Sequence, residues 1–360
     1  MDVKGGRLSW PARGTVGAAA LHPAAFLPVL RTLKHLLLLI LLGAVFGLGT
    51  GWWWLQRPLQ TATGEPVLVE VPPGSGAQRA ADRVAQGGVQ VSATLLGAWF
   101  RLSGQARDIK AGTYEFPPGI TPHGVLGKLA RGEQALFSVQ ILEGWTFGQA
   151  LQSLRGNAEL TQDVQGLNGA DIMAMIGYPG RHPEGRFFPD TYRVPRRATV
   201  SSVLRQAAQA MDERLAKAWA ERDPSTPLRS PEEALVLASI VEKETGLESD
   251  RAMIAGVFSN RLRIGMRLQT DPTVIYGLGE RFDGNLRRVH LETDGPYNTY
   301  TRAGLPPTPI ALPGDASLRA AVKPQATRAL YFVARGDGSS HFSATLDEHN
   351  GAVRRYILGR

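Results

Sequence analysis

The chain of 360 residues contains no cysteine, so it forms no disulfide, offers no thiolate nucleophile and must be held by its core alone. It has no Gly-x-Ser-x-Gly turn, the strand-to-helix elbow that a serine hydrolase needs. No phosphate-cradling glycine loop accompanies Lys243, which argues against a lysine–cofactor lyase. Of its seven histidines, His341 and His349 do not have the His-Glu-x-x-His spacing of a zinc hydrolase. The expectation from these absences is no metal and no cofactor. Charge is missing from Leu36–Leu55, "LLLLILLGAVFGLGTGWWWL", and a run of about 20 apolar residues is what crosses a bilayer as a helix.

The flanks of that run give it a direction. Lys4, Arg7, Arg13, Arg31 and Lys34 precede it against the single acid Asp2, and basic flanks stay on the cytoplasmic side. Trp52, Trp53, Trp54 and Arg57 follow it in place of a small-residue cleavage site, so it reads as an uncleaved anchor with tryptophans at the far interface. The expected order is a cytoplasmic tail over 1–35, a single-pass anchor over 36–55 in the inner (cytoplasmic) membrane, and an extracytoplasmic, periplasmic remainder. The net charge of +8 is dispersed along the chain. With the bulk outside the cytoplasm, an anionic envelope polymer fits it better than nucleic acid.

After the anchor, 67–88, 112–132 and 137–156 each read as an apolar alternation, a glycine turn and an amphipathic helix, which is a strand–helix unit sharing one sheet with its neighbours. The first two, with the helical "SATLLGAWFRLSG" between them, resemble a LysM-like carbohydrate-binding module over 66–135; a spacer domain is the other reading. The stretch 182–195, "HPEGRFFPDTYRVP", is too rich in proline and glycine for regular helix and too apolar for a free linker. The fold class expected is α+β: one transmembrane helix, the small βα module and a mixed α/β catalytic domain over 136–358.

"ALVLASIVEKETG" (234–246) follows a start signal in Ser230, Pro231 and Glu233, predicting a helix from Pro231 to about Thr245 that Gly246 ends. A period of 3.6 puts Leu237, Ile240, Val241 and Glu244 on one face and Leu235, Ala238, Ser239 and Glu242 on a neighbouring one. Glu244 falls in the last turn, where the helix dipole and an apolar wall both raise a carboxyl pKa. A carboxyl that keeps its proton near neutrality is a general acid; a solvated helix end is the plainer reading, and the segment alone leaves both open. The following "NRLRIGMRLQTDPTVIYGLG" (260–279), "GPYNTYTRAGLPPTPIALPG" (295–314) and "HFSATLDEHN" (341–350) interleave polar groups with apolar ones among turn residues, as a long sugar-binding groove would.

These stretches, with "LASIVEKET", "LYFVA" and the upstream "KAGTYEF" and "EGRFFPDTY", are similar in order and spacing to the MltG-type, or YceG-like, endolytic murein transglycosylases over about 66–356. Two departures stand out: Thr308 where that family usually has glycine, and a long N-terminal extension. The resemblance implies lytic cleavage of the β-1,4 bond between N-acetylmuramic acid and N-acetylglucosamine in nascent glycan strands, leaving 1,6-anhydro ends and ending strand elongation. It implies Glu244 as the catalytic acid. Gln269, Asp271, Tyr297, Asn298 and Tyr300 are candidates for orienting sugars, and Glu242 for contacting substrate or tuning Glu244. Peptidoglycan strands, the inner membrane and peptidoglycan synthase complexes are the partners expected; a non-catalytic peptidoglycan-binding protein is the competing reading.

Overall fold

The computed structural model describes residue 1 and residues 26–359, with backbone alone at 26–31. The basic tail residues Lys4, Arg7 and Arg13, and the Arg31 side chain, lie outside the described residues. Helix α1 (Phe26–Gln56) contains the span Thr32–Gln56, 25 residues of mean hydropathy 2.0, long and apolar enough to cross a membrane. Leu33, Leu36, Leu37, Leu38, Leu39, Leu41, Leu42, Leu48, Phe46, Trp52 and Trp53 are exposed.

Two compact units follow from the contacts. The first comprises residues 1–67, 76–109 and 116–130 and holds α2 (Ala77–Gln86), α3 (Ala93–Leu102) and nearly all of α4 (Pro122–Arg131). Ala80, Ala81 and Val84 of α2 and Leu96 and Phe100 of α3 are fully buried, at the three- and four-residue spacing that one helix face requires.

The second unit comprises 68–75, 110–115 and 131–360 and carries the site. Here β1 (Val67–Val71, its first residue excepted) pairs with β2 (Gly112–Phe116, its last residue excepted), and β3 (Leu136–Gln140) pairs antiparallel with β4 (Thr191–Pro195), Phe137 opposite Val194. The three strand–helix modules therefore do not share one sheet. Strand β3 takes its partner from the irregular stretch: alternation in "TYRVP" turns Tyr192 and Val194 to the buried side, where they meet Val139. Helices α5 (Phe147–Arg155), α6 (Gly169–Met175) and α7 (Val200–Ala220) close this core around Phe147, Ile172, Phe187 and Leu204.

A second core joins α8 (Pro231–Glu244), α9 (Glu248–Arg263) and, past α10 (Asp271–Leu278) and α11 (Arg288–Glu292), α12 (Asp315–Val322). The hairpin β5 (Tyr331–Ala334) and β6 (Ser340–Ser343) and the helix α13 (Leu346–Tyr356) complete the unit. Helix α8 starts as the sequence predicts, Ser230 Oγ accepting the Glu233 N–H at 3.2 Å, while the Glu233 carboxylate reaches the Arg229 N–H at 2.6 Å. Its end differs from expectation: Thr245, extended at φ −148°, breaks the helix, and Gly246 supplies no left-handed cap.

Ser239, the one polar residue in the apolar run, is fully buried. Its hydroxyl donates to Val236 O at 2.7 Å and accepts the Ile310 N–H at 3.0 Å, tying α8 to the 306–312 segment. Ser239→Ala leaves that N–H buried without a partner, so chemical denaturation should show a loss of about 1–3 kcal/mol; a loss below about 0.5 kcal/mol, the size of a bland surface change, would contradict the assignment.

Candidate active site

Three consecutive residues at the end of α8 go to three destinations. Glu242, whose side chain is only 7 % exposed, accepts the Gly314 N–H at 3.0 Å and faces Arg251 at 3.9 Å. Gly314 is the residue before α12, so this carboxylate lies at a helix N-terminus, where the dipole favours it. Lys243 donates to Gly144 O at 3.2 Å, and the Gly144 N–H in turn donates to Leu312 O at 2.9 Å. These contacts fasten α8 to the turn before α5 and to the start of α12. Glu244 turns the other way and accepts a hydrogen bond from the Thr270 hydroxyl.

Glu244 lines a cleft of about 440 Å³ together with Arg261, Gln269, Thr270, Asp271, Tyr300, Tyr331, Phe332, Leu346, His349 and Asn350. Burial pushes its carboxyl from 4.5 up to about 7; the Thr270 hydrogen bond pulls it down, and the nearby Asp271 charge adds to the rise. Desolvation wins because a carboxylate out of water loses more than one hydroxyl returns. At neutral pH a large fraction of the molecules thus hold a proton here, in a cleft open to a ligand, which is the state a general acid requires.

The cleft wall is built from backbone constraints. Gln269 sits at φ 49°, a left-handed conformation uncommon for a residue with a Cβ and concentrated at functional sites. Its N–H donates to Thr299 O at 3.1 Å, and the Thr270 N–H donates to Thr299 Oγ1 at 3.0 Å. Thr273 Oγ1 donates to Thr270 O at 2.8 Å. Thr270 is thus fixed beneath Glu244 at the start of α10. Asp271 accepts the Tyr300 hydroxyl at 2.5 Å, and burial followed by the Asp271 carboxylate raises the Tyr300 pKa. Arg261, 7 % exposed, spends its guanidinium on Leu330 O at 2.6 Å and Leu268 O at 2.7 Å, with Tyr331 stacked over it at 5.3 Å.

Four sequence candidates, Glu244, Gln269, Asp271 and Tyr300, meet in this cleft. Two others, Tyr297 and Asn298, line a different cavity of about 550 Å³ on α10. The Asn298 amide is spent on His290 O, Leu291 O and Thr293 O at 2.6–3.1 Å, which closes its own loop. The Tyr297 hydroxyl pairs with Thr308 Oγ1 at 2.8 Å, so the Thr308 departure adds a contact to that wall. Glu242 lines neither cavity. Sequence reasoning missed Arg261, Thr270, Tyr331 and His349 as cleft residues, although all four lie in the stretches that carry the resemblance.

The Thr270 hydroxyl is a removable control on the Glu244 proton. In Thr270→Val, the midpoint of the Glu244 carboxyl signal in a ¹³C NMR titration should rise, by about one pH unit if the bond is worth about 1.4 kcal/mol. A fall in that midpoint would contradict the geometry.

Comparison with known proteins places the chain in a family. Residues 69–355 match the profile of the YceG-like family. A Bacillus subtilis protein named endolytic murein transglycosylase is 30 % identical over 338 residues, covering 89 % of this chain and 92 % of its own length. A Streptococcus pneumoniae serotype 2 protein of the same name is 26 % identical over 334 residues, covering 83 % of this chain and 60 % of its own length. The crystal structure of a YceG-like protein from Listeria monocytogenes superposes with a TM-score of 0.51 at 31 % identity, covering 80 % of this chain and 98 % of that one. By a profile match that runs over most of its length, the chain belongs to the YceG-like family.

Proposed function

We propose that this protein is an endolytic murein transglycosylase that cleaves the β-1,4 bond between N-acetylmuramic acid and N-acetylglucosamine and leaves 1,6-anhydro ends. The observation that carries the reading is the Glu244 carboxyl, held near pKa 7 on the wall of a polar cleft, in a chain whose relatives bear that name. Ordinary glycosidases need two carboxyl groups, one to protonate and one to attack or to activate water. The lytic reaction needs one. Protonated Glu244 gives its proton to the leaving O4 as the C1–O4 bond breaks, and the 6-hydroxyl of the same muramic acid attacks C1. The Glu244 carboxylate then takes the hydroxyl proton and regains its starting state. No water is consumed, and the two products together have the atoms of the substrate.

Gln269, Asp271 and Tyr300 stand in the same cleft and are assigned to sugar hydroxyl and acetamido contacts. Tyr297 and Asn298 shape the wall behind α10, and Glu242 acts by seating α8 against Gly314. The 66–135 stretch is assigned as a LysM-like glycan-binding module. The apolar helix α1 anchors the protein in the inner membrane with its N-terminus inside, which brings the cleft to nascent strands beside the synthases that make them. This placement suits termination of strand elongation.

In mass spectrometry of purified glycan strands incubated with the protein, Glu244→Gln should reduce anhydro ends by about 10²–10⁴-fold, the range of a positioned general acid. Glu242→Gln should do much less to the chemical step. Glu244 has a raised pKa when folded, so its contribution to stability is lost as pH rises from 4.5 through about 7; Glu244→Gln should be folded and, above that window, more stable by up to about 3 kcal/mol. A folded Glu244→Gln protein that keeps its activity would overturn Glu244 as the acid, whereas wild-type protein that binds strands and releases no anhydro ends would leave the binding-protein reading. A reporter fused after Arg360 should be active only outside the cytoplasm, and cytoplasmic activity would overturn the topology.

A further inference from the structure

A second buried carboxyl lies away from the reacting one. Glu184, in the loop between α6 and β4, is 4 % exposed and lines none of the described cavities. It joins three pieces of the fold. One oxygen accepts the Phe147 N–H at 2.8 Å, at the start of α5, and the other accepts the Tyr276 hydroxyl at 3.1 Å, on α10. Its neighbour Gly185 sits at φ 79° with room for no side chain, because a Cβ would come within 2.5 Å of Pro309. The loop is thereby pressed against the 309–311 segment.

We propose that Glu184 is a positioning residue for the reaction: in its ionised form it holds Tyr276 and so sets α10, with Thr270 and Asp271 at its start, in working position beside Glu244. The inference rests on the transglycosylase reading of the cleft and adds a second proton-linked group to it. Helix α10 has eight residues, a short rigid lever with Tyr276 near one end and the cleft residues at the other. Tyr276 is also braced by the ring of Tyr297, edge to face at 4.9 Å.

The hydrogen-bond inventory gives the direction. A carboxylate can accept from both the Phe147 N–H and the Tyr276 hydroxyl, whereas a protonated carboxyl brings a donor of its own to a place that already supplies two. Protonation therefore leaves the Phe147 tie on the carbonyl oxygen, while the Tyr276 hydroxyl must turn round to accept and gives up a bond to a charged group for a weaker neutral one. Burial opposes ionisation and brings the group to about 7, with the Phe147, Tyr276 and Gly185 hydrogen bonds lowering it. The titratable or charged groups around it are Tyr276 with Tyr297 behind it, and His182 and Arg186 of its own loop. His182 Nδ1 accepts the Glu184 N–H at 3.2 Å. Phe147 presents only its backbone, and the 309–311 segment is Pro-Ile-Ala.

The reaction then needs Glu184 ionised and Glu244 protonated. The kcat/KM for release of anhydro ends should be a narrow bell against pH, with limbs belonging to the pair of groups. Glutamine copies the protonated acid, with one accepting and one donating side. The test is the pH profile of the full-length protein in detergent on purified glycan strands, with thermal unfolding in parallel.

Glu184→Gln should lose the acid limb, keep the alkaline limb, and run about tenfold below wild type at the optimum, the scale of one hydrogen bond to a charged group. It should also unfold at a higher temperature than wild type above pH 7, because an amide has no buried charge to form. Tyr276→Phe removes the hydroxyl through which Glu184 acts, so it too should lose the acid limb and keep the alkaline one. An unchanged acid limb in both variants, or a uniform loss with both limbs in place, overturns the proposal. Wild-type protein that releases no anhydro ends at any pH overturns the activity itself, and this inference with it.

Discussion

The desolvation of one carboxyl governs the site. Glu244 holds its proton near neutrality because its carboxyl is drawn out of water in the cleft wall, although Lys243 beside it is exposed. That placement depends on the two residues before it. Glu242 accepts the Gly314 N–H and Lys243 donates to Gly144 O, so the last turn is fastened on the side away from the cleft. With those ties in place, Glu244 is left facing Thr270 and the cleft. The charged run that ends an apolar helix is a clamp followed by an acid.

The two cores of the unit serve this arrangement. Helix α7 contributes to both, through Leu204 and Ala207 on one side and Met211 and Leu215 on the other. The helices α8, α9 and α12 fix the acid, while the loops around α10 fix what faces it. Gln269 at φ 49° and the Thr270–Thr299 contacts are the strained part, and strain of this kind persists only where surrounding structure over-determines it. The Arg261 guanidinium on Leu268 O and the Gln269 N–H on Thr299 O supply that surrounding structure.

What the sequence made legible was local. The start of α8 follows from Ser230 and Pro231, whose preferences act within one turn, and the apolar helix follows from composition alone. The partner of β3 was not legible, since pairing with β4 is set about fifty residues away by which alternating face completes the core. Gln269, Asp271 and Tyr300, which stand out by their polarity in turn-rich loops, line one cleft. At Asn298 the same signal had another origin: an irregular loop has backbone carbonyls to satisfy, and Asn298 satisfies three. Thr270 gave no pattern at all, because a neutral hydroxyl acquires its role only when folding brings it to a carboxyl 26 positions earlier.

The central claim is that one carboxyl does the chemistry and that the substrate's own hydroxyl replaces water. Asp271 shares the cleft with Glu244 and already accepts the Tyr300 hydroxyl, yet a pair of carboxyl groups is also what a hydrolase would use. Cleavage of glycan strands in H₂¹⁸O separates the two routes. Intramolecular attack predicts 1,6-anhydro ends that carry no ¹⁸O, whereas reducing ends labelled with one ¹⁸O at C1 would contradict the account.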